Sequence, residues 1–273
     1  MKVTCLVDNA VQTRSTLWGE HGLAFLIEAE GRRVLFDTGA SGAVLVHNLL
    51  EVKTLPDSIT AVALSHAHYD HTGGLSVFLE LRPRLPLYAH PDLLRERFSR
   101  REEDTRSVGL RLTEPSLRSL ADLHLNAAPQ EILPGVWTTG EIAERPEPEG
   151  RSPHHCVRDG EGWAPDPYRD DIALVLDSPA GLVLVCGCCH AGLLNTLAHV
   201  QRTFGRDPAA ILGGAHLGAA DQAHLRRLIE TLRLLGPPAL FLNHCTGLTA
   251  HLALAFALGE QIQPCPAGTV LEF

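Results

Sequence analysis

A short histidine-rich segment carries the clearest chemical signal in the sequence. Residues 65–74 read Ser-His-Ala-His-Tyr-Asp-His-Thr-Gly-Gly, and four potential metal ligands fall within six positions: His66, His68, Asp70 and His71. In extended backbone His66 and His68 point the same way, whereas the adjacent Asp70 and His71 point elsewhere. This segment, here called the metal loop, can therefore provide ligands for two neighbouring metal positions. Its nitrogen and oxygen donors suit zinc, manganese or iron.

The elements around the metal loop place it at a strand-to-helix turn. Residues 59–64 are apolar and predict a buried strand, and residues 75–81 predict a helix. Three further histidines follow strands that are predicted at 182–186, 209–212 and 239–242, namely His190, His216 and His244. Because the carboxyl ends of strands in α/β folds gather at one edge of the sheet, these side chains should lie near the metal loop.

One buried histidine at a strand end is usually a satisfied core residue, but four such placements are hard to explain by packing. We therefore predict that His190 and His244 are metal ligands. His216 is expected beside the metals as a proton donor or substrate contact, without being an obligatory ligand.

Length, composition and charge limit the class of protein. The chain has 273 residues, 45% of them apolar, which suits one large domain with a substantial core. No apolar run reaches the length of a membrane span, and the N-terminus lacks a signal-peptide pattern. The seven cysteines show no disulfide framework, so a cytoplasmic location is the simplest interpretation. The net charge of -9 argues against nucleic-acid binding, and the oligomeric state stays open.

Residues 95–167 differ in character from the rest of the predicted domain, 1–273, and indicate a lid or loop-rich insert. Five arginines mix with acidic residues in its first part, at Arg95, Arg97, Arg100, Arg101 and Arg106. This mixture predicts a solvated helix or lid, or alternatively one or two arginines, Arg106 among them, that bind a substrate phosphate or carboxylate. Residues 145–167 predict a long loop, and residues 3–7 an edge strand.

The metal loop resembles the His-x-His-x-Asp-His signature of the metallo-β-lactamase superfamily. The resemblance implies an α/β fold, a four-layer αβ/βα sandwich of two similar halves with the metal site at one edge between them. It also implies that Asp37, in Asp37-Thr38-Gly39, orients a ligand histidine, although a turn-forming aspartate is an alternative. Where many members have a further histidine ligand this chain has Glu141, so Glu141 itself, His154, His155 or Cys188 could complete the site.

Five other motifs are similar to one branch of the superfamily: Glu20-His21-Gly22-Leu23, Thr139-Gly140-Glu141-Ile142, Gly187-Cys188-Cys189-His190-Ala191-Gly192, Gly213-Gly214-Ala215-His216-Leu217 and His244-Cys245-Thr246-Gly247. Members of this branch are labelled 7,8-dihydropterin-6-yl-methyl-4-(β-D-ribofuranosyl)aminobenzene-5'-phosphate synthase. The resemblance places His21 near the substrate, with a solvated loop histidine as the alternative.

Three functions are compatible with these residues. The first is a hydrolase with two divalent metal ions, zinc or alternatively manganese or iron, that acts on a small anionic substrate. His66, His68 and His190 would hold the first metal, while Asp70, His71 and His244 would hold the second. Asp70 would also take the proton of the attacking water, as in related enzymes. The alternatives are the synthase reaction and a non-enzymatic, metal-stabilised sensor of a small ligand.

Overall fold

The computed structural model describes residues 1–102 and 104–273, so Glu103 of the mixed-charge segment lies outside the described residues. The strands are β1 Lys2–Val7, β2 Ala24–Ala29, β3 Arg32–Phe36, β4 Ala61–Ala63, β5 Leu85–Ala89, β6 Phe98–Arg101, β7 Asp104–Ser107, β8 Ala121–Leu125, β9 Glu131–Leu133, β10 Val136–Thr138, β11 His155–Asp159, β12 Gly162–Pro165, β13 Ala173–Ser178, β14 Gly181–Cys186, β15 Pro208–Gly213, β16 Ala239–Leu242, β17 Ile262–Pro264 and β18 Val270–Glu272. The α-helices are α1 Gly42–Glu51, α2 Tyr69–Thr72, α3 Leu75–Leu81, α4 Glu114–Leu120, α5 Leu193–Phe204, α6 Gln222–Leu235 and α7 Leu248–Leu258.

Two seven-stranded sheets pack face to face and form the centre of the molecule. Their strand orders are β18-β1-β2-β3-β4-β5-β8 and β17-β16-β15-β14-β13-β10-β9. Side chains alternate across a strand, so Phe25 and Ile27 of β2 face the opposing sheet, whereas Leu26 faces the helices. Because both faces of each sheet are covered, these strands are almost wholly apolar.

Helices cover the outer face of each sheet and complete four layers. Leu45 of α1 and Phe78 of α3 pack on the first sheet. Leu197 of α5, Leu232 of α6 and Leu254 of α7 belong to the cluster that covers the second sheet. The predicted α/β fold, a four-layer αβ/βα sandwich, is therefore confirmed. Within the described residues, no helix combines the length and apolar character needed to cross a membrane.

Three expectations about local structure are wrong. The first strand is not at an edge, since β18 pairs with β1 on its outer side. The strands β6 and β7, residues 98–101 and 104–107, pair as a hairpin instead of forming a solvated helix, and the predicted long loop contains the hairpin β11–β12. The two hairpins join in a four-stranded sheet with the order β12-β11-β6-β7, here called the small sheet. Aromatic contact between Phe98 and Trp163, with ring centroids 5.1 Å apart, favours this pairing.

Short parallel strands place the metal loop at one edge of the first sheet. The strand β4 has only three residues, pairs in parallel with β3 and β5, and ends directly before the loop. Within the loop, His68 precedes the one-turn helix α2, which the sequence did not predict. His66 and His68 precede α2, whereas Asp70 and His71 lie within it, so this helical turn separates the two pairs of side chains.

Candidate metal centre

The metal loop and β14 bring three imidazoles together in the interior. His66 Nε2 lies 3.0 Å from His68 Nδ1, and the ring of His190 is centred 4.9 Å and 5.0 Å from their rings. One nitrogen from each residue lies within 4.8 Å of the others, a spacing that a metal ion could occupy. This set, His66, His68 and His190, is here called the first donor group.

A second convergence lies next to the first and centres on the carboxylate of Asp70. Its Oδ2 is 3.3 Å from His244 Nε2, 3.4 Å from His21 Nε2 and 3.8 Å from His71 Nε2. The ring of His66, in the first donor group, is centred 4.2 Å from the ring of His71, so the two sets of donor residues are in contact. Asp70, His71 and His244 are here called the second donor group.

The donor atoms fit a cation better than they fit one another. In the described part of the chain, the buried Nε2 atoms of His68, His190 and His244 have no hydrogen-bond partner, because the 3.3 Å contact of His244 with Asp70 lacks hydrogen-bond geometry. An unsatisfied buried polar atom is costly unless an ion or water completes it. Imidazole nitrogen and carboxylate oxygen are ordinary ligands of divalent metals, so both groups fit the cofactor that the sequence predicts.

Burial and mutual contact set the protonation of these groups. Burial, together with neighbouring imidazoles, lowers the pKa of His66, His68 and His190 well below the usual range, which leaves them neutral. Burial alone would lower the pKa of His71, but the carboxylates of Asp37 and Asp70 outweigh it and raise that pKa. Burial would also raise the pKa of Asp70, yet the adjacent His71 and His244 hold it below its usual range.

Asp37 anchors both ends of the metal loop from the end of β3. Its carboxylate accepts hydrogen bonds from the backbone N–H and the hydroxyl of Ser65, each at 2.7 Å, and contacts His71 Nδ1 at 2.7 Å. The Ser65 hydroxyl in turn lies 2.8 Å from His66 Nδ1. A single buried carboxylate thus fixes the ring orientation of His71 directly and that of His66 through Ser65.

His244 is oriented by two residues that sequence analysis does not single out. Asp8 Oδ1 accepts a hydrogen bond from the backbone N–H of His244 at 2.9 Å, and Asn9 Oδ1 lies 3.0 Å from His244 Nδ1. Both residues follow β1 in a segment without regular structure. With Asn9 on Nδ1, the opposite nitrogen is directed at Asp70, and His244 reaches this position with a φ of 50°.

Residues 166–172 brace the first donor group from behind. Asp170 Oδ2 accepts from the backbone N–H of Ala67, between His66 and His68, at 2.8 Å. Asp171 Oδ2 accepts from the backbone N–H of Ala191, next to His190, at 2.8 Å. The ring of Tyr168 stacks on the His190 ring at 4.2 Å. This segment therefore links the two halves of the molecule at the histidines.

Arg97 ties the bracing segment to the small sheet. Its guanidinium is fully buried and lies 2.6 Å from Asp170 Oδ1, 3.1 Å from Asp166 Oδ2 and 3.0 Å from Asp92 Oδ2. It also donates to the carbonyl oxygens of Asp92 and Arg95. Burial raises the pKa of Asp170 to about 7, although Arg97 opposes that shift. Arg97 is thus a structural cation that the substrate cannot reach, and substrate binding by an arginine of this segment stays a prediction for Arg106.

Comparison with known proteins agrees with this arrangement. Residues 17–183, which include the whole metal loop and Asp37, match the metallo-beta-lactamase superfamily. The chain belongs to this superfamily. Its members are typically metal-dependent, and the two donor groups supply candidate ligands for this one.

Two superfamily relatives span the whole chain. The 7,8-dihydropterin-6-methyl-4-(beta-D-ribofuranosyl)-aminobenzene-5'-phosphate synthase of Methanocaldococcus jannaschii is 29% identical, over 100% of this chain and 97% of its own. The crystal structure of Tm1679, described as a metal-dependent hydrolase of the beta-lactamase superfamily, is 26% identical with a TM-score of 0.86, covering 100% and 99% of the two chains. A diphosphatase of the PhnP family shares the fold at 16% identity and a TM-score of 0.58, with coverage of 100% and 97%.

The residues that sequence analysis left open as possible further metal ligands lie in different parts of the structure. Glu141, which stands where other superfamily members have a histidine, forms hydrogen bonds with Arg169 at 2.9 Å and 3.1 Å and lies 3.3 Å from His90. His154 is exposed, while the ring of His155 lies 4.7 Å from that of His68. Cys188 Sγ is 3.2 Å from His71 Nε2. Glu141 is therefore committed to an ion pair, and Cys188 is the nearest additional donor.

Of the three residues that the sequence assigned to proton transfer or substrate binding, His216 and His21 contact histidines of the donor groups. His216 sits with its ring 4.3 Å from that of His190, and burial, followed by His155 and His244, lowers its pKa to about 4. His21 is exposed, and its ring stacks at 5.3 Å on that of His244. Arg106 is exposed on β7, and it is one of the charges that, after burial, lower the pKa of His155.

Replacing His216 by asparagine is expected to keep the metals bound and to lower turnover by about 100-fold, the usual contribution of a general acid or base. The ring contacts His190 without belonging to either donor group. Metal analysis and kinetics of the purified variant test this, with His124→Asn, an exposed histidine paired with Asp122, as the control. Loss of metal from the His216 variant would make it a ligand instead.

Proposed function

We propose that the protein is a metal-dependent hydrolase that acts on a small anionic substrate. The observation that carries the proposal is the pair of adjacent donor groups with three unpartnered, buried Nε2 atoms. His66, His68 and His190 would hold one divalent ion, and Asp70, His71 and His244 would hold the second, with zinc preferred over manganese or iron. Such ions lower the pKa of water toward about 7 and polarise the bond to be cleaved.

Asp70 is the residue that this chain offers for proton transfer. Its carboxylate lies at the junction of His21, His71 and His244, and it retains some access to solvent. A carboxylate in that position can accept the proton of the attacking water and pass it to a leaving group. His216, whose ring is centred 4.3 Å from that of His190, would protonate the leaving group or hold the substrate.

The proposed preference for an anionic substrate rests on the side chains of Arg106 and His21. Among residues that the structure describes, Arg106 has no ion-pair partner within 4.0 Å, unlike Arg97. Its guanidinium and the exposed ring of His21 can both hydrogen-bond to a phosphate or carboxylate. In this proposal residues 95–167, with the small sheet, form a lid on a single domain of residues 1–273. The net charge of -9 disfavours a long polyanion such as nucleic acid.

Mutating Arg106 to alanine is expected to raise KM for the active substrate by about tenfold, with kcat nearly unchanged, because a binding contact is lost. The substrate is first identified with a panel of phosphomonoesters, phosphodiesters, lactones, thioesters and pterins, beside single- and double-stranded nucleic acids. Arg118→Ala, on α4 and paired with Glu114, serves as the control. Efficient cleavage of nucleic acid with no turnover of any small anion would contradict the proposal.

A synthase is the second candidate, because the Methanocaldococcus jannaschii synthase is 29% identical over the full chain. The same site would then promote carbon–nitrogen bond formation with a pterin diphosphate instead of transfer to water. Incubation with a pterin diphosphate and an aminobenzene ribofuranosyl phosphate separates the two. Diphosphate release that requires the amine favours the synthase, and release without it favours the hydrolase.

A further inference from the structure

Cys188 occupies the space between the two donor groups. Its side chain is buried, with Sγ 3.2 Å from His71 Nε2, and one ligand atom each of His66, His71 and Cys188 lie within 4.8 Å of one another. The Nδ1 atom of His71 is held by Asp37 at 2.7 Å, so the Nε2 atom is the one that faces the thiol. Cys188 therefore points into the region that a metal at the second position would occupy.

Cys245 follows β16 and brings a second sulfur to the same region, at the same edge of the sheet as Cys188. Ligand atoms of Cys188, His244 and Cys245 all lie within 4.8 Å of one another. The Nε2 atom of His244 is buried and has no hydrogen-bond partner in the described part of the chain. The thiol of Cys245 makes a weak contact with the carbonyl oxygen of Cys188 at 3.5 Å. Two sulfurs and one unpartnered imidazole thus face each other.

The backbone leaves room for both sulfurs. A side-chain carbon on Gly214 would lie 2.6 Å from Cys245 Sγ, so only glycine permits the thiol at this place. Cys189 adopts a φ of 59° and directs its own thiol toward Thr196, at 3.4 Å, away from Cys188. The backbone therefore directs the two neighbouring cysteines differently, so that Cys188 faces the donor groups and Cys189 faces the core.

We propose that Cys188 and Cys245 join the second donor group, beside His244, as ligands of the metal at the second position, and so select Zn²⁺ over Mn²⁺. Each thiol loses its proton to solvent when the metal–sulfur bond forms, as metal binding to cysteine requires. Thiolates are soft ligands that favour zinc, whereas manganese prefers oxygen. The inference rests on the metal centre of the proposed function, but it does not depend on which reaction that centre catalyses.

Cobalt substitution tests the proposal by a spectroscopic signature of metal–sulfur bonding. Metal-free protein is titrated with Co²⁺, and the wild type should develop a near-ultraviolet sulfur-to-cobalt charge-transfer band. Cys188→Ser and Cys245→Ser should each lose roughly half of the band, and the double variant all of it. Cys156→Ser, whose thiol lies in the small sheet beside the carbonyl of Phe98, is the control and should match the wild type.

A second measurement needs no substitution, so it stands even where a variant misfolds. Alkylation of the wild type with iodoacetamide, read by peptide mass, should modify Cys245 in the metal-free protein and spare it after Zn²⁺ is added. Mn²⁺ at the same concentration should protect it at least tenfold less. A cobalt band of undiminished intensity in Cys245→Ser, or equal protection by both ions, would overturn the inference. Hydrolysis by a centre without the band would retain the proposed function and reject only the thiolates.

Discussion

Replacing Arg97 by methionine is expected to lower the free energy of unfolding by about 3–5 kcal/mol, as for other buried ion pairs that lose one partner. The substitution removes the cation from a fully buried site and leaves the carboxylates of Asp166 and Asp170 without compensation. Methionine fills much of the arginine stem, so lost packing contributes little. Urea denaturation of the metal-free variant and wild type, followed by circular dichroism, gives the difference directly.

Two further variants show whether charge or geometry causes the loss. Arg101→Met, on the exposed end of β6, should change stability by no more than about 0.5 kcal/mol. Arg97→Lys keeps the charge but loses the planar fork that reaches Asp166 and Asp170 together, so it should fall between the two. A loss below about 1 kcal/mol in Arg97→Met would show that the carboxylates find other partners or protonate without cost.

Arg97 also shows where sequence reasoning stops. A run of arginines among acidic residues has the composition of a solvated helix, and composition does not reveal that one of them is buried. Its partner Asp170 is 73 residues away in the chain. Only the pairing of β6 with β11 brings the two segments together. Long-range pairing of this kind leaves no periodic signal in either segment.

Prediction was more successful where local signals dominate. In α6, Asp221 acts as the N-cap that its residue type favours, by accepting from the backbone N–H of His224. The strand β16 also has the predicted bounds. Apolar periodicity, a capping side chain and short turns specify these elements without reference to distant residues.

The residues of the candidate site also fall into those that sequence analysis could predict and those that it could not. Strand-end placement sufficed to bring His66, His190 and His216 together, because topology alone sends those ends to one edge. It could not identify Asp8 and Asn9, which orient His244 from 236 and 235 residues away. Nor could it show that Glu141 is engaged by Arg169 instead of a donor group. Residues that orient ligands act through hydrogen bonds whose partners depend on the complete fold.

His66→Ala is expected to reduce bound metal from two ions per chain to one or fewer, and to lower turnover by more than about 100-fold. His66 touches both donor groups, with Nε2 3.0 Å from His68 Nδ1 and its ring 4.2 Å from that of His71. Losing residues that merely orient a ligand already costs about 10–100-fold, so losing a central donor should cost more. The metal content of dialysed protein, measured by mass spectrometry of the elements, and the rate on the identified substrate provide the test.

His90→Ala is the matched control for this prediction, because it separates metal binding from burial. His90 is also a buried histidine directly after a strand, β5, but it lies 3.3 Å from Glu141 and in neither donor group. The variant should lose stability without losing metal, since the His90 ring contributes packing and two hydrogen bonds, with Glu141 and with the backbone N–H of Asp92. If His66→Ala retained two ions per chain, His66 would leave the ligand set and His68 and His190 would need a different third donor, for which His155 is the nearest imidazole to His68 outside the two groups.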